Sequence, residues 1–361
     1  MSVSAAKNAP LTEAHRDVEG AIVDPLQNGA WDSLLAGFAE ATAFHTSAWA
    51  RVLSRTYGHT PIYLRFDRAG EPVALVPLME VRSALTGVRG VCLPFTDFCG
   101  PLISEARSAS VIPARLLQVA VERDWKHVEL RGNESELFLE AKTASTYYAH
   151  QLPLMATTSE LWEKLASSVR RAIRKACSSG LSTEITVAPD AIEEFYRLHI
   201  RTRRRHGVPP QPRRFFENIY NEMIRPGVGF LVLVRRGSQC VAAAMFFQFG
   251  SIAIYKFGGS DLAFQELRPS NLMIWEGIRL LAERGCALLH FGRTDLHDEG
   301  LRRFKLGWGT SESRLQYIRL GRGLFDTNSR NHKHPIANAF FQRMPLSVNR
   351  LAGAIIYPHL D

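Results

Sequence analysis

The spacing of hydrophobic positions predicts a long helix early in the second half of the chain. It spans "SELWEKLASSVRRAIRKACSSG", residues 159–180, with Ser159 as its cap and Gly180 as its end. Four apolar residues recur there at every fourth position: Leu161, Leu165, Val169 and Ile173. This spacing is typical of the buried face of an amphipathic helix, and the basic residues of the segment fall on another face.

The segments that follow alternate between short strands and helices. We predict, in order, a strand at 181–187, a helix at 191–206, strands at 229–236, 239–250 and 251–259, a helix at 269–285, and strands at 287–293 and 314–320. This order, β-α-β-β-β-α-β-β, is typical of a mixed α/β fold whose sheet is largely antiparallel at one end.

The first half repeats part of this order. It contains a predicted helix at 45–58, a strand-turn-strand unit at 62–81, a strand at 87–95, a helix at 112–125 and a strand at 126–132. The helix end "VAVERDWKHVELRG" also resembles "RLLAERGCALLHFG" in the second half. We therefore predict two tandem copies of one α/β domain, each a central mixed sheet flanked by helices.

The predicted boundaries follow from this repeat. We expect a disordered lead at 1–30, a first domain at 31–152, a second domain at 153–325 and a helical tail at 326–361. The tail has two interpretations. Pro345 interrupts its apolar face, which favours a helix packed across the domain junction. Arg343 and Arg350 beside aromatic and aliphatic residues would instead suit an anionic membrane surface.

Composition indicates an ordinary globular protein. Of 361 residues, 46% are hydrophobic and 22% are charged, and no apolar run reaches the roughly 18 residues of a membrane-spanning helix. The first residues lack the apolar stretch of a signal peptide. Five scattered cysteines favour free thiols over a disulfide framework or a metal site. We expect a cytoplasmic protein, with peripheral contact at the inner face of the membrane as an open alternative.

The net charge of +9 is unevenly distributed. Residues 1–150 hold 14 Lys and Arg against 17 Asp and Glu, whereas the remaining residues hold 30 against 18. A second half this basic points to an anionic partner: nucleic acid, a phosphorylated substrate or an anionic membrane.

Two segments of the second half could bind such a partner. In "YKFGGSDLAFQELRPSNLMIWEGI", Tyr255 and Lys256 lie on a strand, and a helix begins near Pro269. Free backbone N–H groups at that helix start attract anions, and Arg268 stands just before it. The alternative is that Arg268 pairs with Glu266 or Glu276 on the surface.

The second segment is "HFGRTDLHDEGLRRFKLGWG", residues 290–309. Arg293 and Asp295 lie at the end of a strand, where open α/β sheets tend to bind ligands. Arg303 and Lys305 follow among aromatic residues, which would shield Lys305 from water and strengthen its interaction with an oxyanion or phosphate. The alternative makes Asp295 a turn residue and Lys305 a solvated surface charge.

Basic runs form a third group, at 170–175, 201–207 and 213–214. Together they predict a shared surface that could hold RNA, although solvated helix faces are the usual explanation of such runs. The chain has no GxGxxG, GxxxxGK[ST], HExxH or GxSxG motif, which disfavours dinucleotide, P-loop, zinc-protease and serine-hydrolase chemistry.

Several of these segments resemble the Fem-type (FemAB-like) branch of the GNAT acyltransferase superfamily. The resemblance is carried by residues 161–185, 255–278 and 291–309, and by "FHTSAWARVLSRTYGH" and "LPFTDFCGPL" in the first half. It extends from Phe44 to Tyr357 and implies two tandem GNAT-like domains.

The resemblance also implies a reaction. Members transfer an amino acid from aminoacyl-tRNA, or an acyl group from acyl-CoA, to an amine of a cell-envelope (peptidoglycan or polysaccharide) precursor. We therefore expect an acyltransferase with acyl-CoA or aminoacyl-tRNA as co-substrate, no tightly bound cofactor and no metal. Its expected partners are a small-molecule or lipid-linked precursor, with tRNA and an anionic membrane as further candidates.

By the same resemblance, Lys305 matches the lysine that stabilises developing negative charge near the donor. The residues expected to line the cleft are Tyr255, Asp261, Arg268, Asn271 and Glu276. Asp295 follows the strand beside the cleft, and the segment from Asp97 to Pro101 would lie near the acceptor.

Two departures from the family pattern leave the donor open. "FQELRPSN" replaces the glycine-rich turn of acetyl-CoA enzymes, and no segment has the length of a coiled-coil arm for tRNA. Two other functions also remain: acetylation of a small amine with acetyl-CoA, and a non-catalytic module that binds RNA or an anionic glycan.

Overall fold

The computed structural model describes residues 18–132, 142–154, 157–321 and 335–360. In this part of the chain, alternating and continuous apolar runs form fifteen strands. They are β1 Val18–Val23, β2 Thr60–Pro61, β3 Tyr63–Arg68, β4 Glu71–Val76, β5 Met79–Ser83, β6 Gly87–Val91, β7 Leu102–Ile103, β8 Val128–Gly132, β9 Lys142–Pro153, β10 Leu181–Thr186, β11 Gly229–Arg236, β12 Gln239–Phe249, β13 Ile252–Ser260, β14 Leu288–Asp295 and β15 Ser311–Leu320.

Eleven α-helices accompany these strands in the described residues. They are α1 Trp31–Leu34, α2 Ser47–Tyr57, α3 Ile112–Glu122, α4 Thr158–Lys164, α5 Ser167–Ser178, α6 Asp190–Arg205, α7 Arg213–Ile219, α8 Pro269–Glu283, α9 Glu299–Leu306, α10 Pro335–Arg343 and α11 Leu346–Ile356. The predicted mixed α/β fold is therefore confirmed, and every strand predicted from 181 onward is present. None of the described helices is both long and apolar enough to cross a bilayer.

The single helix predicted at 159–180 is wrong, because the chain breaks there between α4 and α5. Thr157, not Ser159, caps α4: its side chain accepts a hydrogen bond from the Glu160 N–H, and the Glu160 carboxylate accepts one from Thr157. Leu165 then adopts an extended backbone, and the Ala166 N–H donates to the carbonyl of Gly307. A tertiary hydrogen bond thus interrupts a segment whose periodicity is helical throughout.

One sheet runs through both halves of the chain. Its eleven strands lie in the order β10-β11-β12-β13-β14-β9-β15-β8-β6-β5-β2, and a second sheet has the order β1-β3-β4-β7. β9 lies between β14 and β15, and β15 also pairs with β8 of the first half. The boundary predicted between residues 152 and 153 falls inside β9, a strand that the hydrophobic pattern did not predict.

The predicted tandem repeat is visible in the connections. Each half has a strand-helix-strand unit, β6-α3-β8 and β13-α8-β14, and the two strands of each unit pair in parallel. All other strand pairs in the described residues are antiparallel. Corresponding crossovers in the two halves support an internal duplication.

Aromatic packing joins the two halves. The ring of Trp49 on α2 lies 6.0 Å from that of Phe215 on α7 and 6.1 Å from that of Phe247 on β12. All three side chains are fully buried. This contact belongs to a continuous apolar cluster that includes residues of both halves, and it fixes the relative position of the two halves.

Both ends of the described chain are ordered against the body of the protein. Residues Val18–Val23, predicted as part of a disordered lead, form β1 and pair with β3; residues 1–17 lie outside the described part. Tyr357, after α11, contacts Phe95 of the first half and accepts a hydrogen bond from Arg203 of the second. The described part of the predicted tail, residues 335–360, therefore packs across the junction; residues 326–334 lie outside the described part.

Candidate active site

The two parallel strands of the second half separate soon after they begin. β13 and β14 pair only through Ile252–Ile254 and Leu288–His290. Each strand has an irregularity just beyond this point: Lys256 is an extra residue opposite β12, and Gly292 has φ +70° where the pairing of β14 with β9 shifts. Bulges re-aim side chains and interrupt pairing, and they are common beside active sites. They open a cleft between the two strands.

Asp97 reaches this cleft from the first half. It follows β6 on a segment in which Leu93 and Phe95 adopt left-handed conformations. The Asp97 carboxylate lies against Gly292, where a Cβ atom would be 2.8 Å from Oδ2. Lys256 Nζ donates a hydrogen bond to the same Oδ2 at 2.9 Å. An ion pair between the two halves therefore lies at the mouth of the cleft.

Two further cations surround this pair. The guanidinium of Arg293 stacks on the rings of Tyr147 and Tyr317, at 4.5 and 5.0 Å. Lys305 of α9 is only 5% exposed and donates to the carbonyls of Gly292 and Arg293, at 3.1 and 2.8 Å. Asp97, Lys256, Arg293 and Lys305 form what we call the Asp97 cluster. With three cations and one carboxylate, it carries an excess of positive charge.

Burial and charge set the protonation of this cluster. Burial lowers the pKa of Lys305 to about 8, although the nearby Asp97 carboxylate opposes the shift. Burial alone would raise the pKa of Asp97, but the charges of Lys256 and Arg293 outweigh it and hold that pKa below its usual value. At neutral pH, Asp97 is ionised and Lys305 is mostly protonated. An ammonium has three N–H donors, and two of those of Lys305 are used by carbonyls.

A basic cavity of about 490 Å³ opens where α8 begins. Its polar lining includes Arg171, Lys175, Arg268, Asn271 and Arg303. In the part of the chain that the structure describes, none of the four cations forms an ion pair with a carboxylate. The N-terminal end of α8 adds the positive end of the helix dipole. We call this space the basic cavity; its chemistry suits an anion.

Arg268 is held in this position at a conformational cost. Its φ of +61° lies in the left-handed region, which is unfavourable for a residue with a side chain. Such strain tends to persist at functional sites. The predicted alternative, a surface pair with a glutamate, is not found: Glu276 pairs with Arg279 instead.

The opposite face of the sheet has two cavities between the halves, of about 330 and 340 Å³. The first is lined by Asp97, Lys256 and Arg293 together with Arg131, His199 and Arg203. In the second, the His290 ring stacks on Phe98 at 4.1 Å, and its Nδ1 lies 3.5 Å from the Gln151 amide nitrogen. Sequence reasoning did not single out His290 or Gln151, because neither belongs to a recognisable motif.

Several buried polar atoms without hydrogen-bond partners lie near α9, on β9 and β14 and just after α9 itself. His150 is 1% exposed, and both its ring nitrogens lack a hydrogen bond in the described structure, as do Thr294 Oγ1 and Trp308 Nε1. Burial and then the charge of Lys305 lower the pKa of His150 to about 4, so this ring is neutral. The alternating pattern "TASTYYAHQLP" could have predicted β9, and with it the place of His150.

Three of the predicted site residues make local contacts in the structure. Asp261 caps the short 3₁₀ turn Leu262–Leu267 and pairs with Arg201. Asp295 accepts a hydrogen bond from the His297 N–H within the turn after β14, which is the alternative stated above. The third residue, Glu276, forms the ion pair with Arg279 described above. These three carboxylates therefore do not join the Asp97 cluster.

Tyr255 lies beside the cleft but packs away from the cations. Its ring contacts those of Phe246 and Phe291, at 5.3 and 5.8 Å, and burial raises the pKa of its phenol. It thereby belongs to the apolar wall on the α8 side of the sheet.

The basic runs do not converge on one surface, contrary to expectation. Arg171 and Lys175 line the basic cavity, whereas Arg201, Arg204 and Arg205 line a separate groove. Arg213 is neutralised by Glu193 and Glu217. The second half therefore has at least two distinct basic sites.

Known proteins support this architecture. Residues 163–306 match the acetyltransferase (GNAT) domain family, and this range includes the four cations of the basic cavity and three members of the Asp97 cluster. This match covers less than half of the chain and agrees there with the resemblance. No curated protein matches this sequence.

Solved structures with the same fold cover nearly the whole chain. FemX is 16% identical, with a TM-score of 0.67 over 83% of this chain and 97% of its own. The C-terminal domain of a protein assigned as a lysylphosphatidylglycerol synthetase from Agrobacterium fabrum is 12% identical, with a TM-score of 0.56 over 90% and 96%. A tandem GNAT protein from the clavulanic acid biosynthesis pathway is 10% identical, with a TM-score of 0.54 over 86% and 100%. The fold is that of tandem GNAT proteins, shared with FemX.

Proposed function

We propose that this protein is an N-acyltransferase that moves an activated acyl group to an amine. One observation carries the proposal: an excess of buried positive charge, the Asp97 cluster, lies at the separation of β13 and β14, and the basic cavity opens at the start of the helix between these strands. An acyl transfer needs both a site for the anionic donor and a cation near the reacting carbonyl.

The basic cavity is the proposed donor site. Arg171, Lys175, Arg268 and Arg303 together offer charge for a phosphorylated donor, and acyl-CoA and aminoacyl-tRNA both carry phosphates. The match to a GNAT acetyltransferase domain favours acyl-CoA of the two. The cavity volume of about 490 Å³ suits part of such a donor and leaves its acyl end free to reach the cleft.

The proposed chemistry needs no covalent intermediate on the protein. The amine nitrogen attacks the acyl carbonyl, forms a C–N bond and moves an electron pair onto the carbonyl oxygen. Collapse of this tetrahedral intermediate breaks the bond to the thiol sulfur of CoA, or to the ribose oxygen of a tRNA. A proton passes overall from the amine to the leaving group. The remaining N–H of Lys305 stabilises the oxyanion, a role worth roughly 10²–10³-fold in rate for one donor in known enzymes.

We place the acceptor between the two halves. The cavities there lie across the sheet from the basic cavity and border Asp97 and His290, so an amine entering from that face would meet the acyl group in the cleft. We propose an amine of a cell-envelope precursor, either peptidoglycan or polysaccharide, as the acceptor. The fold shared with FemX and with a lysylphosphatidylglycerol synthetase supports this class. Acetylation of a small amine is the second candidate, favoured by the acetyltransferase match.

Titration of the protein with separate donors tests the donor site. Acetyl-CoA, longer acyl-CoAs, and charged and uncharged tRNA are each added while the melting temperature is followed. A ligand of the folded state stabilises it by about 2.7 kcal/mol at a hundredfold excess over Kd. We expect a shift with one donor class that Arg268→Ala reduces and that Arg225→Ala, at an exposed arginine outside the cavity, preserves.

Product formation tests the reaction itself. The donor that binds is incubated with amine acceptors, namely amino sugars, peptidoglycan precursor peptides and simple diamines, and the products are identified by mass. An amide product that requires Lys305 supports the proposal. Binding of RNA or glycan without transfer from any donor would replace the enzyme by a binding module.

A further inference from the structure

The outer face of α11 exposes large apolar side chains to solvent. Val348, Leu351 and Ile355 are 47%, 62% and 60% exposed. Their spacing of three and four residues places them on one side of the helix. The opposite side carries Asn349 and Gly353, which are buried against the body of the protein. Large apolar residues are rarely grouped on a solvent-facing helix without a partner.

A groove lined by arginines lies at the N-terminal end of this helix. It measures about 650 Å³ and is bordered by Arg201, Arg204 and Arg205 of α6 and by Gln342 and Leu346 of the tail. Arg201 is paired with Asp261, but Arg204 and Arg205 form no ion pair within the described residues. Gln342 also donates a hydrogen bond to the Arg205 carbonyl, so the tail and the arginines are held together.

We propose that the outer face of α11 and the adjacent arginine groove dock this protein on the surface of an anionic lipid bilayer. An apolar helix face with basic residues at its side is the arrangement that lies in the plane of a membrane interface. Val348, Leu351 and Ile355 would enter the acyl boundary, and the arginines would contact lipid phosphates. Phe340 and Arg343, both exposed on α10, add another apolar side chain and another cation to this surface.

Charge argues against a second copy of the chain as the partner. A symmetric dimer through this face would bring the same patch of each copy together, with the arginine grooves close to each other. Like charges across an interface are unfavourable, whereas an anionic bilayer complements them. The docking surface is also separate from the basic cavity, so the proposal does not rest on the transfer reaction.

Co-sedimentation with vesicles is the first test. Vesicles of phosphatidylcholine with about a third phosphatidylglycerol are compared with pure phosphatidylcholine at low and high salt, because each basic residue near an anionic surface contributes about a fivefold gain in binding. We expect binding to the anionic vesicles that salt weakens. The double variants Leu351→Ser/Ile355→Ser and Arg204→Gln/Arg205→Gln should each reduce it about tenfold or more. Leu85→Ser, at a 79% exposed leucine of the first half, should leave it unchanged.

A fluorescent label reports where the helix lies. Leu351→Cys is labelled with an environment-sensitive dye in a Cys177→Ser background, since Cys177 is the exposed native cysteine. A blue shift with anionic vesicles, absent for a label at Leu85→Cys, supports insertion of α11. The proposal is overturned if no vesicle binds while the melting temperature is normal. It is also overturned if light scattering shows a dimer that Leu351→Ser/Ile355→Ser dissociates.

Discussion

Lys256 of the second half donates a hydrogen bond to Asp97 of the first, at 2.9 Å between Nζ and Oδ2. The two residues are 159 positions apart in the chain, and each lies at an irregularity of its own segment. Their pair links the halves at the point where β13 and β14 separate. Within the described residues, Arg293 and Lys305 form no ion pair with another carboxylate, so the Asp97 cluster keeps an excess of positive charge.

Removal of the Lys305 charge should slow transfer without preventing donor binding. We expect Lys305→Met to lower kcat roughly 100-fold, because a preorganised donor to the oxyanion would be lost. Met preserves the volume of this buried side chain but cannot donate to the Gly292 and Arg293 carbonyls, so the melting temperature is measured to confirm that the variant is folded. Steady-state kinetics with the identified donor measures the effect, with Lys164→Met, at an exposed lysine, as the matched control. Unchanged kcat would remove Lys305 from the mechanism.

The pH dependence of Lys305 should appear in both rate and stability. The ratio of wild-type to Lys305→Met kcat should be constant below pH about 8 and fall about tenfold per pH unit above it, as the ammonium deprotonates. A ratio that rises with pH would instead make Lys305 a base.

The stability effect has the opposite direction. Because the pKa is about 8 in the folded state against an ordinary 10.5, the unfolded state binds more protons between these values. The folded state therefore gains stability as pH rises from 8 to 10.5, and the cost of the buried charge is fully present below 8. Denaturant titrations at several pH values should show this rise in wild type and not in Lys305→Met.

Loss of the Asp97 carboxylate should destabilise the junction. Asp97→Asn removes the carboxylate that the charges of Lys256, Arg293 and Lys305 stabilise, which we expect to cost about 3 kcal/mol of unfolding free energy. Adding Lys256→Met should recover part of this loss, because it lowers the excess of positive charge at the junction. Glu163→Gln, which breaks the exposed pair with Arg170, should change stability by less than about 0.5 kcal/mol. Equal costs for both single variants would contradict the account.

Arg268 allows charge and backbone strain to be separated. Arg268→Ala and Arg268→Gly should weaken donor binding to a similar extent, about tenfold, since both remove a phosphate contact. Glycine tolerates φ +61°, so Arg268→Gly should be more stable than Arg268→Ala by about 1 kcal/mol. Calorimetric titration with the donor measures the affinity of each variant, and chemical denaturation measures its stability. Different affinities for the two variants would show that the backbone, and not the charge, holds the donor.

Gly292 should be intolerant of any side chain. Gly292→Ala combines a positive φ with a Cβ atom 2.8 Å from the Asp97 carboxylate, so it should lower both stability and kcat. Gly237→Ala is the matched control: its φ is also positive, at +58°, but nothing lies within 4 Å of its Cβ position. Both variants should lose about 1–2 kcal/mol of unfolding free energy through backbone strain. Only Gly292→Ala should also lower kcat.

Local sequence patterns determined much of the secondary structure of this protein. Apolar periodicity predicted α6, α8 and the strands β10 to β14, because each of these elements buries a regular face that its own sequence encodes. Repeated strand-helix-strand order predicted the duplication. The Pro-Ser-Asn start of α8 predicted an anion site beside Arg268; the basic cavity lies there, and anion binding stays a prediction. Lys305 was a candidate from the basic, aromatic segment after β14, and the resemblance to a family added its role. Asp97 entered through that resemblance alone.

Tertiary structure alone decided how these pieces meet. The break between α4 and α5 depends on a hydrogen bond from Ala166 to Gly307, and the place of β9 depends on pairing with β14 and β15. The partner of Lys256 is equally non-local, since Asp97 lies on the other half of the chain. Hydrophobic spacing reports which face of an element is buried, but not which distant element buries it. That packing determines which charged side chains meet at the cleft and which carboxylates lie elsewhere.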